Sequence, residues 1–318
     1  MVVFEKFDRI DILNLTSVRD GENKIGQIIS SYNDLNHFKG KYVIVGVQES
    51  VGPQANLGFS GSENGFSSFL SRFLNIQSNR FFSGEEVLLY GVFKLNSHEG
   101  VKEKGSLVNK LDTLLISHLE LIYGMGFIPI LIGGGHNNAY PLIKAWGNVR
   151  GVGLNVINCD PHADYRLLEG RHSGNSFSYA KSEGVLNYYN VVGLHQSYNS
   201  EEMLLRMEKE GCDFTFFDDY IKGVGSLVAD VETFVKKNNG AEFGIELDLD
   251  SIKGMPSSAL TFSGITVEDA RKYIIRLAKE KKTVYLHLPE GAPKDSREEV
   301  FVGKTLSYLV SDFIKSNS

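Results

Sequence analysis

Asp160, His162 and Asp164 stand at i, i+2 and i+4 in the stretch NCDPHADYR (158–166). Asp248 and Asp250 repeat the two-residue spacing at the end of AEFGIELDLD (241–250), and His136 closes a GGGH turn (133–136) after an apolar run. In an extended chain, side chains two residues apart point the same way. The spacing therefore predicts that Asp160, His162 and Asp164 converge, that Asp248 and Asp250 form a second pair, and that Cys159 faces away and is no ligand. Four carboxylates gathered in a low-dielectric site repel one another. Two divalent cations would neutralise the four formal charges. Oxygen-rich ligation with some imidazole suits Mn²⁺, with Fe²⁺, Co²⁺ or Ni²⁺ as alternatives. Taken singly, each motif has a plainer reading as a glycine turn, a helix cap or a loop start. Their joint occurrence at strand ends does not, because burying acids without a counter-ion costs on the order of several kcal/mol per charge.

These residues need strands to carry them. Short runs rich in Val, Ile, Leu and Phe recur at 41–49, 85–93, 127–134, 153–160, 189–195, 213–219, 241–250 and 282–290. Most show little polar alternation, as expected of strands buried on both faces of a parallel sheet. Amphipathic segments at 106–126, 200–212 and 266–282 read as helices, with Ser or Thr starts and Gly or Lys late, the second and third with acids early, and 303–316 reads as a closing helix. The alternation predicts a three-layer α/β/α sandwich with a mostly parallel sheet of about eight strands, in a single domain over 1–318. His136, Asp160, Asp248 and Glu290 then all fall at carboxyl ends of strands, where open parallel sheets bind ligands. The Gly-, Ser- and Asn-rich stretch 51–68 is expected to line the site as a loop. His195 ends the strand 189–195 on the same edge and is a candidate for substrate contact or proton transfer. His118 and His287 read as packed residues, and His37 and His98, in polar loops, carry no argument.

Among the 318 residues, 42% are hydrophobic and 23% charged, and the formal net charge is −6. That balance disfavours nucleic acid or an anionic membrane as partner. Cys159 and Cys212 are the two cysteines and form no CxxC pair, so neither a disulfide framework nor a zinc ribbon is expected. The N-terminal stretch does not read as a signal peptide, and no apolar run approaches the ~20 residues that span a bilayer. A cytoplasmic location is the expectation.

GGGH (133–136), DPHAD (160–164), DLD (248–250) and EGAP (290–293), in this order and with these gaps, resemble the ureohydrolase superfamily of arginase, agmatinase and formiminoglutamase. The resemblance spans nearly the whole chain and implies an arginase-like fold and a binuclear metal centre. By it, one ion would take His136 and Asp164, the other His162 and Asp250, with Asp160 and Asp248 bridging. Two cations about 3.5–4 Å apart can share a water, lower its pKa and present a hydroxide at neutral pH. The resemblance implies attack on the trigonal carbon of an amidine or guanidine, with Asp164 as proton carrier and Glu290 holding the cationic substrate group. It also implies a small-molecule substrate and a homo-oligomer, trimer or hexamer.

Within that family the chain leans towards formiminoglutamase. Arg166 stands where arginase-like sequences carry Asn and offers a forked donor to a carboxylate. In RHSGNSF (171–177), Phe177 replaces the His of arginase that is proposed to shuttle protons, and Ser173 and Asn175 are candidate substrate contacts. Asn158, two before Asp160, also fits. The expected reaction is N-formimino-L-glutamate plus water to L-glutamate and formamide. The alternatives are an arginase, agmatinase or guanidino-acid hydrolase releasing urea, and a non-catalytic relative with the same fold.

Overall fold

The computed structural model describes residues 2–95 and 101–317, so His98 lies outside the described residues. All eight anticipated strands form, and two more join them. In chain order they are β1 (Val2–Lys6), β2 (Ser30–Ser31), β3 (Tyr42–Glu49), β4 (Val87–Leu95), β5 (Ile128–Ile132), β6 (Leu154–Cys159), β7 (Leu186–Leu194), β8 (Asp213–Phe216), β9 (Phe243–Leu247) and β10 (Thr283–Leu288). They make one sheet of order β1-β4-β3-β5-β10-β9-β6-β7-β8, with β2 against β4. Only β1 pairs antiparallel, on β4.

Two apolar layers cover the sheet. On one side helices 65–73, 227–238, 267–278 and 296–317 contribute Phe69, Val231, Tyr273 and Leu309 to a core with Ile44, Ile130 and Ile245. On the other, helices 101–124, 139–150, 176–182 and 201–209 contribute Leu115, Trp146, Phe177 and Met207 to a core with Val43, Leu131 and Val156. Apolar burial on both faces is why the central strands read as continuous hydrophobic runs. The caps behave as their residue types demand: Ser200 accepts from the Met203 N–H, and Thr266 and Asp269 form a reciprocal capping box. The stretch 51–68 is not wholly a loop. It holds a short helix, Val51–Ala55, and the start of Gly65–Phe73.

What matters for function is the middle of the strand order. β5, β10, β9 and β6 are consecutive neighbours, and GGGH, Glu290, the Asp248/Asp250 pair and the Asp160–Asp164 run follow their respective carboxyl ends. No helix among the described residues is long and apolar enough to cross a membrane.

Candidate metal centre

The turn after β5 is held open by backbone and by a buried acid. Gly133 and Gly134 have φ of 86° and 66°, a region that favours glycine. Glu49, at the end of β3, accepts from the Gly135 N–H (2.7 Å) and the Asn138 Nδ2 (3.1 Å) through one oxygen, and from the Gly52 N–H (2.8 Å) through the other. His136 is thereby fixed with no exposed surface, edge-on to Phe177 at 5.3 Å between ring centres.

Around His136 Nδ1 lie Oδ2 of Asp160 at 3.0 Å, Oδ2 of Asp164 at 3.0 Å and Oδ2 of Asp248 at 2.9 Å. One ring nitrogen can donate at most one hydrogen, so three carboxylate oxygens at that range are not satisfied by the imidazole. The donor atoms of these four residues lie within 4.8 Å of one another, close enough to hold a metal ion. The second half is looser. His162 Nδ1 stands 3.4 Å from Asp160 Oδ1 and 3.9 Å from Asp250 Oδ2. Asp160 therefore turns one oxygen to each histidine. The donor set, oxygen-rich with one imidazole on each side, fits two hard or borderline divalent cations.

The convergence has a different cause from the extended alternation expected. β6 and β9 end at Cys159 and Leu247, before the acids. Asp160 Oδ1 accepts the His162 N–H at 2.7 Å, and Asp248 Oδ1 accepts the Asp250 N–H at 2.7 Å. Two Asx-type turns thus fold each motif back on itself. Asp164 is then brought in by a left-handed backbone, φ 46°. Cys159 does face away: it is buried in the apolar core, where burial pushes its thiol up to about 12.

Without cations, the cluster captures protons instead. Burial opposes a charged His136, yet Asp160, Asp164, Asp248 and Glu246 outweigh it and hold the imidazole pKa well above its usual value. His162, partly buried and facing Asp160, Asp250 and Asp164, is pushed up to about 10. Burial, then repulsion among the acids, raises Asp248, and burial first of all raises Asp164 and Asp250. A site that protonates its ligands to offset its own charge is one that a metal would discharge.

A cavity of about 450 Å³ opens on the His162 side, lined by His162, Asp164, Asp248, Asp250 and Glu290. Glu290, at φ 69°, is buried: Oε1 accepts the His136 N–H at 2.6 Å, and Oε2 has no hydrogen-bond partner among the described residues. Burial and the nearby Asp250 push its carboxyl up to about 8. Arg166 and Ser173 also line the cavity, with Arg166 paired to Glu169 at 2.8 Å. The stretch 51–68 contributes Pro53, Asn56, Leu57 and Gly58 to the wall.

Two expected site residues do not line the cavity. Asn175 is fully buried and spends its amide on structure: its oxygen accepts from Arg171 Nη1 (2.9 Å) and the His172 N–H (3.1 Å), and its nitrogen donates to the carbonyls of Gly170 (2.7 Å) and Leu167 (3.3 Å). It has nothing left for a substrate. His195 is outside the cavity lining, sandwiched between Phe217 and Tyr198 at ring-centre distances of 5.2 and 5.0 Å. Tyr198 in turn stacks on His162 at 5.3 Å and does line the cavity. The ring that touches the site is thus Tyr198, three residues on. Arg206 was also missed. It lines the cavity from the helix Glu201–Lys209, with its guanidinium over Tyr165 at 5.3 Å and no acidic partner among the described residues. Its only sequence signal is a basic residue in the helix following a strand that ends on the active edge.

The sequence model of the Arginase family matches residues 88–309. The chain belongs to the arginase family. Among curated relatives, the formimidoylglutamase of Staphylococcus aureus (strain Newman) is 29% identical over 191 residues, covering 58% of this chain and 60% of that protein. The aligned part therefore spans less than two thirds of the curated relatives it matches. Among solved structures, this arginase-family chain is similar to Trypanosoma cruzi formiminoglutamase with Mn²⁺₂ (TM-score 0.75, 19% identity, 93% of this chain and 98% of that one). It is also similar to formimidoylglutamase from Bacillus subtilis (TM-score 0.78, 15% identity, 94% of each chain). At these identities the structural likeness establishes the arginase fold.

Proposed function

We propose that the chain is a binuclear-metal hydrolase of a linear amidine, converting N-formimino-L-glutamate and water to L-glutamate and formamide. The observation that carries this reading is Asp160, whose two oxygens face His136 and His162 at 3.0 and 3.4 Å within a ring of acids. His136, Asp164, Asp160 and Asp248 would hold one ion; His162, Asp250 and the same two bridging aspartates would hold the other. Two divalent cations, Mn²⁺ as in the Trypanosoma cruzi neighbour, supply an acidified water and polarise the substrate's C=N.

The chain's own side chains do the rest. Glu290 Oε2, buried and unpartnered, accepts an N–H of the cationic formimino group and orients its carbon over the acids. Once the water oxygen has bonded to that carbon, the bond to the glutamate nitrogen breaks, and the leaving amine needs a proton. Asp164, a carboxylate on the cavity wall, would carry it. Phe177 cannot take that part, since it is apolar and has no exposed surface. Two arginines at the cavity wall, Arg166 and Arg206, suit a substrate with two carboxylates. Ser173 is a further polar contact. The names of the relatives support the same substrate. The reading carries with it a single-domain cytoplasmic enzyme, assembling as a trimer or hexamer.

The test is a product assay with Mn²⁺ on formiminoglutamate, arginine, agmatine and guanidinobutyrate. Formamide and glutamate from the first substrate are expected. Urea from any of the others, with formiminoglutamate untouched, would replace this reading by the guanidine one.

A further inference from the structure

Next to His136, outside the cavity lining, the chain buries a carboxylate that the proposed reaction does not use. Glu246 lies inside β9, directly across from His287 on β10 in the parallel register. Its Oε2 is 2.5 Å from His287 Nδ1 and 3.3 Å from His136 Nε2, and its Oε1 accepts the Tyr285 hydroxyl at 2.7 Å. Glu246, His136, His287 and Tyr285 all have 0% exposure. An acid in the interior strand of a parallel sheet is retained only if its oxygens are met by donors. One ring nitrogen and a phenol meet them here, His136 Nε2 stands next at 3.3 Å, and an ionised carboxylate has acceptor sites for all three.

The geometry constrains His136. Nδ1 is the atom turned to Asp160, Asp164 and Asp248, at 2.9–3.0 Å. A neutral imidazole that offers Nδ1 as a lone pair carries its hydrogen on Nε2. Glu246 Oε2 is the acceptor standing at that nitrogen. Its 3.3 Å separation lies just beyond the usual N–H···O range. A carboxylate behind a ligating histidine fixes both the tautomer and the ring orientation and makes the free nitrogen a better donor.

We propose that Glu246, itself braced by His287 and Tyr285, is the positioning residue that holds His136 as the Nε2–H tautomer and presents Nδ1 to the inner cation. This rests on the two-metal reading above. Because it concerns one of two ions, it predicts an uneven loss that a general weakening of the fold would not produce.

The experiment is calorimetric titration of metal-stripped protein with MnCl₂, comparing wild type, Glu246→Gln and Tyr285→Phe. Wild type should take up two ions. Glu246→Gln should weaken one binding event by roughly 10–100-fold, the loss typical of a removed outer partner, and leave the other unchanged. Tyr285→Phe, which removes one brace of Glu246 but keeps the carboxylate beside His136, should weaken the same event by less and leave the other unchanged. Wild-type affinity of Glu246→Gln in both events, equal weakening of both, or a third tight ion lost in that variant would overturn the proposal. A second reading needs no variant. In the wild type loaded with diamagnetic Zn²⁺, nitrogen-15 spectra should show His136 bearing its hydrogen on Nε2, and a ring protonated on Nδ1 would overturn it. Wild type that takes up no Mn²⁺ defeats the metal reading, and the inference with it. Two ions bound equally well by Glu246→Gln defeat the inference alone.

Discussion

The two histidines of the centre live in different worlds. His136 has no exposed surface, three carboxylate oxygens within 3.0 Å of one nitrogen, and Glu246 beside the other. His162 keeps 30% of its side chain exposed, meets its acids at 3.4 and 3.9 Å, and presents a face to Tyr198, itself half exposed. The difference follows from where each sits. His136 is wedged between the turn after β5 and the core, whereas His162 lies in a loop that walls the cavity. Under the two-metal reading this is a division of labour: an inner ion position sunk against the core, and an outer one on the cavity wall. Asp160 faces both histidines, with one oxygen turned to each.

Asp160→Asn tests that shared membership and should have the largest effect. It removes a charge from both positions while nearly keeping the shape. Bound Mn²⁺ should fall for both ions, and turnover should drop by more than the ~100-fold that follows loss of an outer partner. Elemental analysis alongside kcat measures it. Near-wild-type metal content in the variant would show that the two halves are independent, and the comparison would break.

Much of this was legible in the sequence, and the limits are physical. The central strands announce themselves because both faces are buried. β1 does not, because it is the antiparallel edge strand and alternates half-buried and exposed residues in VVFEK. The six proposed ligands could be named because each follows an apolar run. The reason they meet could not, since the Asx-type turns at Asp160 and Asp248 and the left-handed Asp164 are backbone facts with no signature in residue type alone. Asn175 looked like a contact only because its true partner, the buried Arg171, is held by Asp112 at 2.9 Å from the distant helix Val101–Gly124. Glu246 was passed over inside an apolar strand, since only the pairing of β9 with β10 reveals His287 beside it.

Acid–base linkage sharpens the comparison next. In metal-free protein the His162 pKa lies at about 10, above the ~6.5 of an unfolded chain. The folded state then holds a proton that the unfolded state releases, so this contribution is present below pH ~6.5 and lost as pH rises towards about 10. The raised Asp164, Asp248 and Asp250 act in the same direction, each favouring its protonated form in the fold. Bound cations replace those protons. The gain in Tm on adding Mn²⁺ should therefore grow between pH ~6.5 and ~9, a window set by the His162 shift, as measured by calorimetry with and without EDTA. In His162→Asn the metal-free melting temperature should fall less steeply over that window. An unchanged slope would mean that the outer half carries no such proton.

The smallest effect should come from Tyr198, and it should be confined to the outer half. Its ring lies nearly parallel to His162, at 18° and 5.3 Å, and on its other side stacks on His195 at 5.0 Å. A stacked pair contributes roughly 0.5–1.5 kcal/mol beyond burial, or about two- to tenfold in an equilibrium constant. Tyr198→Ala should therefore weaken the outer ion by that factor and leave the inner one alone, while Tyr198→Phe, which keeps the ring, should restore it. Equal loss at both ions would tie the outer loop to the inner position through Asp160. That would make the centre one cooperative unit rather than two unequal halves.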